Sequence, residues 1–152
     1  MTIPAFHVSS KSQAEGTGKV FIDTRKDVAS SGIFEFNVFV QFNPASNDYP
    51  TGSLRLKIDL SDSVKGTFTS TSFELVNSYG KHNPTIFFTG RGKMKTDVSN
   101  QPVGLRFWFM IADNGKGSSP KVAGFAIHDR KGNRVAYGTG ALVSGNVIVD
   151  PN

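Results

Sequence analysis

Cysteine is absent from this chain of 152 residues. Disulfides, thiolate zinc sites and cysteine nucleophiles are therefore excluded as sources of stability or of chemistry. A single domain of this length buries roughly 70% of the surface that its unfolded chain exposes, so it can fold without a disulfide or a structural metal. We expect an apolar core to supply the stability.

Long apolar runs and helical patterns are missing as well. No window approaches the ~20 apolar residues of a membrane helix, and no window of about 11 residues has a convincing helical period. The opening MTIPAFHVSS lacks the basic and apolar regions of a signal peptide. Tryptophan occurs once, whereas phenylalanine occurs 13 times and glycine 16 times. The composition predicts a turn-rich chain with a phenylalanine core and no membrane span.

Apolar residues do alternate with polar ones at a period of two, which is the pattern of a strand with one buried face. The longest alternation covers 34–42, where every second residue is Phe or Val, and shorter ones cover 53–60, 86–94 and 105–111. Turn-forming Pro, Asn, Asp and Gly separate these runs. The sequence therefore predicts an all-β fold, an antiparallel sandwich or a flattened barrel of about nine or ten strands.

The stretch 84–115 holds the densest apolar run and the single tryptophan, Trp108. Its two predicted strands pair antiparallel across the turn TDVSNQP. Gly90 and Gly92 fall on the apolar face of the first strand, where glycine marks a bend or the close approach of another element. No helical pattern follows them, so a phosphate-binding loop is disfavoured. In the preceding run, 64–78, the letters TSTS blur the alternation and predict a bulge or a change of sheet.

Composition divides the chain into a flexible N-terminal arm, 1–18, and one all-β domain, 19–152. The letters KSQAEGTG resemble a flexible linker, although AFHVSS could pair at a sheet edge. Near the C-terminus, 134–140 and 146–149 are predicted as two separate strands.

Several motifs occur in a characteristic order: YPTGSLRLKID, FTSTSFELV, IFFTGRGKMK, FWFMIADNGKG, GFAIHD and NVIV. This order resembles the post-COAP-type β-domain, a family of small domains appended to bacterial secreted or cell-surface proteins, over roughly 19–149. The chain departs from the family pattern where Lys116 and Lys121 follow the DNG turn in place of an acidic residue. The resemblance implies an accessory, non-catalytic domain of a secreted or cell-surface system, and it implies no established ligand.

The histidines give weak catalytic signals. His7, His82 and His128 lie in the arm, a predicted loop and a predicted strand. His128 and Asp129 could form a general-base pair, but a base requires a substrate proton within reach. No nucleophile-elbow motif accompanies them. The sequence therefore favours a non-enzymatic role.

Asp113, Asn114 and Gly115 form the other candidate motif. With Asp129 or Asp150 they could offer oxygen ligands to calcium, but a calcium loop repeats such oxygens at more positions. The tolerance of DNG for a left-handed turn explains the motif equally well. We therefore predict no metal and no cofactor.

Six cations fall at non-core positions of successive predicted strands, and we call them the basic face: Arg55, Lys57, Arg91, Lys93, Lys95 and Arg106. The formal net charge of the chain is +5. Such a face could bind an anionic glycan or another cell-surface polymer, with nucleic acid less favoured. Alternatively, the lysines only protect strand edges from aggregation, and nearby acidic residues neutralise part of the charge.

The predicted binding residues are Trp108, Phe87, Arg91, Lys93 and Arg106. They belong to the favoured interpretation, a non-enzymatic binding or structural β-domain of a secreted or cell-surface system. The alternative is a small barrel enzyme or carrier, similar to a cyclase or isomerase, that holds an apolar molecule in an enclosed cavity of some ~300 Å³ or more. A self-assembling subunit paired through strand edges is a third hypothesis, and the oligomeric state is left open.

Overall fold

The computed structural model describes residues 12–22, 31–43, 49–61, 65–79, 85–96, 105–113 and 121–150. They form eight strands: β1 (Ser12–Ile22), β2 (Gly32–Phe42), β3 (Thr51–Leu60), β4 (Gly66–Tyr79), β5 (Thr85–Lys95), β6 (Leu105–Ala112), β7 (Val122–His128) and β8 (Arg134–Asp150). No helix in this part of the chain has the length and hydropathy needed to span a membrane.

Each strand pairs antiparallel with the next one along the chain, and β8 returns to pair with β1, so the sheet closes into a barrel. Closure provides each strand with a hydrogen-bonded neighbour on both sides. The predicted all-β antiparallel fold is confirmed, and the sheet is a closed barrel.

The predicted count of nine or ten strands is wrong among the described residues, which form eight. The two strands predicted at 134–140 and 146–149 are parts of the single strand β8. Its first half pairs with β7 and its second half with β1, and a bulge at Val143 takes the strand from one neighbour to the other. A bulge admits an extra residue without ending a strand, which a turn-based interpretation of the letters ALVSGN overlooks.

The boundary of the predicted arm is also corrected. Residues 12–18 belong to β1, which pairs with β2 on one side and with β8 on the other. Backbone pairing on both sides offsets the poor strand propensity of the polar, glycine-containing letters SQAEGTG. The rest of the predicted arm, 1–11, lies outside the described residues.

Phenylalanine rings fill the inside of the barrel, as the alternation predicts. Their neighbouring centroids lie 4.9 to 6.2 Å apart, mostly edge to face. Eight strands enclose an interior just wide enough for side chains to fill. The rings involved are Phe34, Phe36, Phe68, Phe73, Phe88, Phe107, Phe109 and Phe125.

Strands β4 and β5 contain the predicted irregularities. The register of β4 against β5 shifts between Ser70 and Ser72 and again between Phe73 and Leu75, so the predicted bulge is confirmed. A Cβ atom built on Gly90 would meet the backbone oxygen of Ser72 and lie 2.9 Å from the Phe107 ring. The close approach predicted for this glycine is therefore present, and the space that it leaves holds the Phe107 ring.

We expect Gly90→Ala to lower the free energy of unfolding by about 1–3 kcal/mol, because the added methyl group overpacks the core against backbone that cannot move aside. Urea denaturation measures this change. Thr89→Val on the same strand is the control, since its side chain points outward and valine keeps the branched shape; it should change stability by about 0.5 kcal/mol or less. Equal midpoints for Gly90→Ala and the unchanged protein would contradict the packing described here.

Candidate functional site

The closed barrel places the five predicted binding residues on the outer wall of β5 and β6. Arg91 lies directly opposite Arg106, and Trp108 lies opposite Thr89. The inward positions of both strands are apolar or glycine, so the alternation turns these five side chains outward. Residues that are far apart in sequence thereby form one continuous outer surface.

Trp108 lies half-buried on this outer wall, not in the barrel interior. Its ring centroid is 5.9 Å from that of Phe87 at an angle of 48°. On its other side the cross-strand neighbour is Ala126, which in turn lies opposite Tyr137. Ala126 is buried between these two large side chains, and part of the Trp108 ring remains exposed to solvent.

The predicted cations differ in how free their charges are. Arg91 donates from Nε to the Glu74 carboxylate at 2.9 Å, so its charge is partly neutralised. Among the described residues, no ion pair is recorded for Lys93 or Arg106, both of which are exposed. Lys93 and Arg106 are therefore better suited than Arg91 to meet an anion.

The strand pairing aligns the basic-face cations of β5 with those of β3, with one residue of β4 between them. Thr69 lies between Lys93 on β5 and Arg55 on β3. Two residues along β4, on the same outer face, Thr67 lies between Lys95 on β5 and Lys57 on β3. We call these six residues the basic band: Arg55, Lys57, Thr67, Thr69, Lys93 and Lys95.

The acidic residues near the basic band are Asp59, on the same strand as Lys57, and Glu35, on the neighbouring strand β2. Each of them forms an ion pair with a lysine outside the band. Asp59 pairs with Lys65 at 3.2 Å and Glu35 pairs with Lys19 at 3.6 Å. For the four cations of the basic band, the described part of the chain gives no ion pair. The band is thus a positively charged strip without a close ion pair in the described ranges, although Glu35 lies opposite Lys57 on β2 and weakens the charge at that end.

A cleft of about 410 Å³ on the outer face of β1, β2 and β3 is a feature that the sequence reasoning missed. Arg55 and Lys57 line it, together with Lys19 and Glu35. At its base Gly18 lies opposite Gly145, next to the β8 bulge. Gly145 has a φ of +92°, and a Cβ atom on it would lie 2.7 Å from the Gly18 Cα. In the sequence, the two glycines were the signal that could have indicated this cleft. They come together only because the first and last strands pair.

A second cleft of about 500 Å³ lies between the start of β3 and the middle of β4. The two strands are paired over four residue pairs only, from Arg55 with Thr69 to Ile58 with Gly66. Beyond them, the Leu54 N–H donates to the Ser70 hydroxyl at 2.9 Å. The charged residue of this cleft, Glu74, is held by Arg91, so the surface offers less to a charged ligand than the first cleft does.

His128 ends β7, and Asp129 begins the turn that leads to β8. One Asp129 carboxylate oxygen accepts hydrogen bonds from the N–H groups of Asn133 at 2.8 Å and Lys131 at 2.9 Å. The bond from the Asn133 N–H, with the others in the turn, holds the pKa of Asp129 below its ordinary value of 3.8. This carboxylate organises the β7–β8 connection, which gives it a structural role. His7 and His82 lie outside the described residues.

The predicted calcium motif is described only at Asp113, whose carboxylate lies 3.6 Å from the Lys121 ammonium. Asn114 and Gly115 lie outside the described residues. Within the described ranges, no three His, Asp or Glu side chains come together as a metal site would require. Lys121 also donates to the Val147 carbonyl and, at 3.0 Å, to the Asn146 side chain, so it ties the start of β7 to β8.

Neither the family models, nor the curated proteins, nor the solved structures yielded a match to this chain. The resemblance to the post-COAP-type β-domain therefore stays a prediction.

Asp129→Asn should destabilise the protein at neutral pH and much less in acid. The folded-state pKa of Asp129 is lowered, so its contribution is complete above its ordinary pKa of 3.8 and is lost as pH falls through the lower folded value. Urea midpoints of the two proteins at about pH 6 and about pH 2 measure the difference. A gap between the midpoints that stays constant with pH would contradict this role of the carboxylate.

Proposed function

We propose that the chain is a non-enzymatic binding module that recognises an anionic polymer, in the first place an anionic glycan, through its basic face. One observation carries the proposal: five exposed cations on β3, β5 and β6 of the barrel wall have no recorded ion pair within the described ranges. They are Arg55, Lys57, Lys93, Lys95 and Arg106. Like charges held together on a rigid sheet raise the local potential, which attracts a polyanion and speeds its association.

Trp108 and Phe87 supply an apolar surface beside these charges. The exposed part of the indole lies two residues along β6 from Arg106, on the same outer face. An aromatic ring next to a cation suits a ligand that presents both an apolar face and an anionic group, as an acidic sugar does. In this proposal the cations provide most of the affinity and Trp108 orients the ligand.

The filled interior supports a surface module over the alternative carrier or enzyme. An internal carrier requires an enclosed apolar space of roughly 300 Å³ or more, whereas the described rings in this barrel contact one another across the interior. The two clefts described above lie at the barrel wall, where charged residues line them. We place the module in a secreted or cell-surface system, in line with the resemblance of its motifs.

We expect the double variant Lys93→Glu and Arg106→Glu to weaken binding to heparin by about tenfold or more at low salt, because two attractive charges become repulsive. Isothermal titration calorimetry measures the affinity. The control is Lys93→Arg with Arg106→Lys, which keeps both charges and should stay within about twofold of the unchanged protein. The proposal is overturned if the charge-reversed variant binds as well as the control, or if the unchanged protein does not bind.

Tryptophan fluorescence reports on the site directly, because Trp108 is the single tryptophan of the chain. Saturation with heparin should change the emission and reduce quenching by acrylamide, since a bound ligand covers the exposed part of the ring. Trp108→Phe should retain most of the affinity while losing the signal. Binding that leaves both emission and quenching unchanged would show that the ligand occupies another surface.

A further inference from the structure

The cleft on β1, β2 and β3 is one of two concave regions described on the barrel wall, and its volume of about 410 Å³ is that of a small-ligand site. Gly18 and Gly145 line the cleft where β8 bulges against β1: Gly18 leaves room for the Phe36 ring, and Gly145 lets β8 approach the β1 backbone. The cleft can therefore accommodate one sugar unit of a polymer.

Charge in this cleft is unevenly compensated. Lys19 and Glu35 pair with each other at 3.6 Å across β1 and β2. Arg55 and Lys57, on the adjacent strand, have no recorded ion pair in the described part of the chain. The lining therefore carries two cations that are available to a carboxylate or sulfate group.

The cleft is continuous with the basic band. Arg55 and Lys57 belong to both, and each is separated from a lysine of β5 by one threonine of β4. Neighbouring strands lie ~4.8 Å apart, so the β3 and β5 cations are about 10 Å apart across the strands. Threonine hydroxyls between them can donate to and accept from sugar hydroxyls. The band thus holds one pair of cations on β5 and a second pair on β3, and the β3 pair lines the cleft.

We propose that the ligand of the proposed binding module is a linear acidic polysaccharide that crosses the strands from β5 over β4 to β3. Its terminal acidic unit enters the cleft, where Arg55 and Lys57 bind the carboxylate or sulfate. The inference rests on the proposed function and adds the direction of the polymer, the end subsite and the residues that hold it.

A single-stranded nucleic acid fits this surface less well. Sequence-tolerant binding of single strands depends on aromatic side chains on which bases stack. The basic band contains no ring, and Phe36, which borders the cleft, is only 3% exposed. Trp108 and Phe87 lie beside the band on β5 and β6 and not along it, so cations and hydroxyls form most of the path from β5 to β3, which matches an acidic sugar polymer better.

The test compares Arg55→Gln with Lys57→Gln, made together, against Arg130→Gln with Lys131→Gln at the exposed β7–β8 turn. Glutamine is chosen because a glutamate at 57 would lie opposite Glu35 and destabilise the sheet. The control pair loses the same charge on strands far around the barrel from β3. Circular dichroism and thermal unfolding establish that both variants fold.

The probes are galacturonate oligomers of increasing length, with neutral dextran oligomers and a thymidine homopolymer as comparisons. In the unchanged protein we expect affinity to rise with galacturonate length until the oligomer spans the band. The cleft variant should bind the longest oligomer about tenfold more weakly than the control variant does, and it should lose the gain with length.

The outcomes separate this inference from the proposed function. If the cleft variant matches the control while Lys93→Glu with Arg106→Glu loses binding, the end subsite is wrong and the basic face stands. If neither set of changes weakens binding, both proposals fail. If the thymidine homopolymer binds more tightly than the galacturonate oligomers at equal salt, or the galacturonate oligomers do not bind, the assignment to acidic polysaccharide is overturned.

Discussion

Packing of phenylalanine rings inside the closed barrel is the constraint on which the rest of this structure depends. Because side chains alternate, each strand that contributes a ring to the interior must place its next residue on the outer wall. A slip by one residue would bury the lysines and arginines of β3 and β5 and expose the rings. The core therefore fixes the register, and the register fixes which charges become neighbours.

The same register determines which residues are neighbours on the outer wall. Arg55, Thr69 and Lys93 form one row across three strands because Leu56, Phe68 and Met94, their sequence neighbours, all face the interior. These exposed charges contribute little to the free energy of unfolding, because they are well solvated in the folded and unfolded chain alike. Placing them side by side destabilises the fold little as well. The basic band and the candidate cleft can therefore serve binding without loss of stability.

Glycine and bulges shape the regions where the wall departs from a regular barrel. Gly90 gives space to the Phe107 ring, and the bulges in β4 adjust that strand to its neighbour. Gly18 and Gly145 allow β1 and β8 to approach closely where the barrel closes. These local irregularities accommodate the large rings inside, and the Gly18 and Gly145 pair lines the concave surface outside.

The sequence by itself determined the fold class, the inward and outward faces of β2, β3, β5 and β6, and the outward position of the basic face. All of these follow from alternation within one strand, which is a local property. Closure into eight strands, the single long β8, the pairing of Arg91 with Glu74 and the cleft beside Gly145 were decided by the tertiary structure. They depend on which strands become neighbours, and in the case of β1 and β8 these neighbours lie at opposite ends of the chain, where no local pattern records the contact.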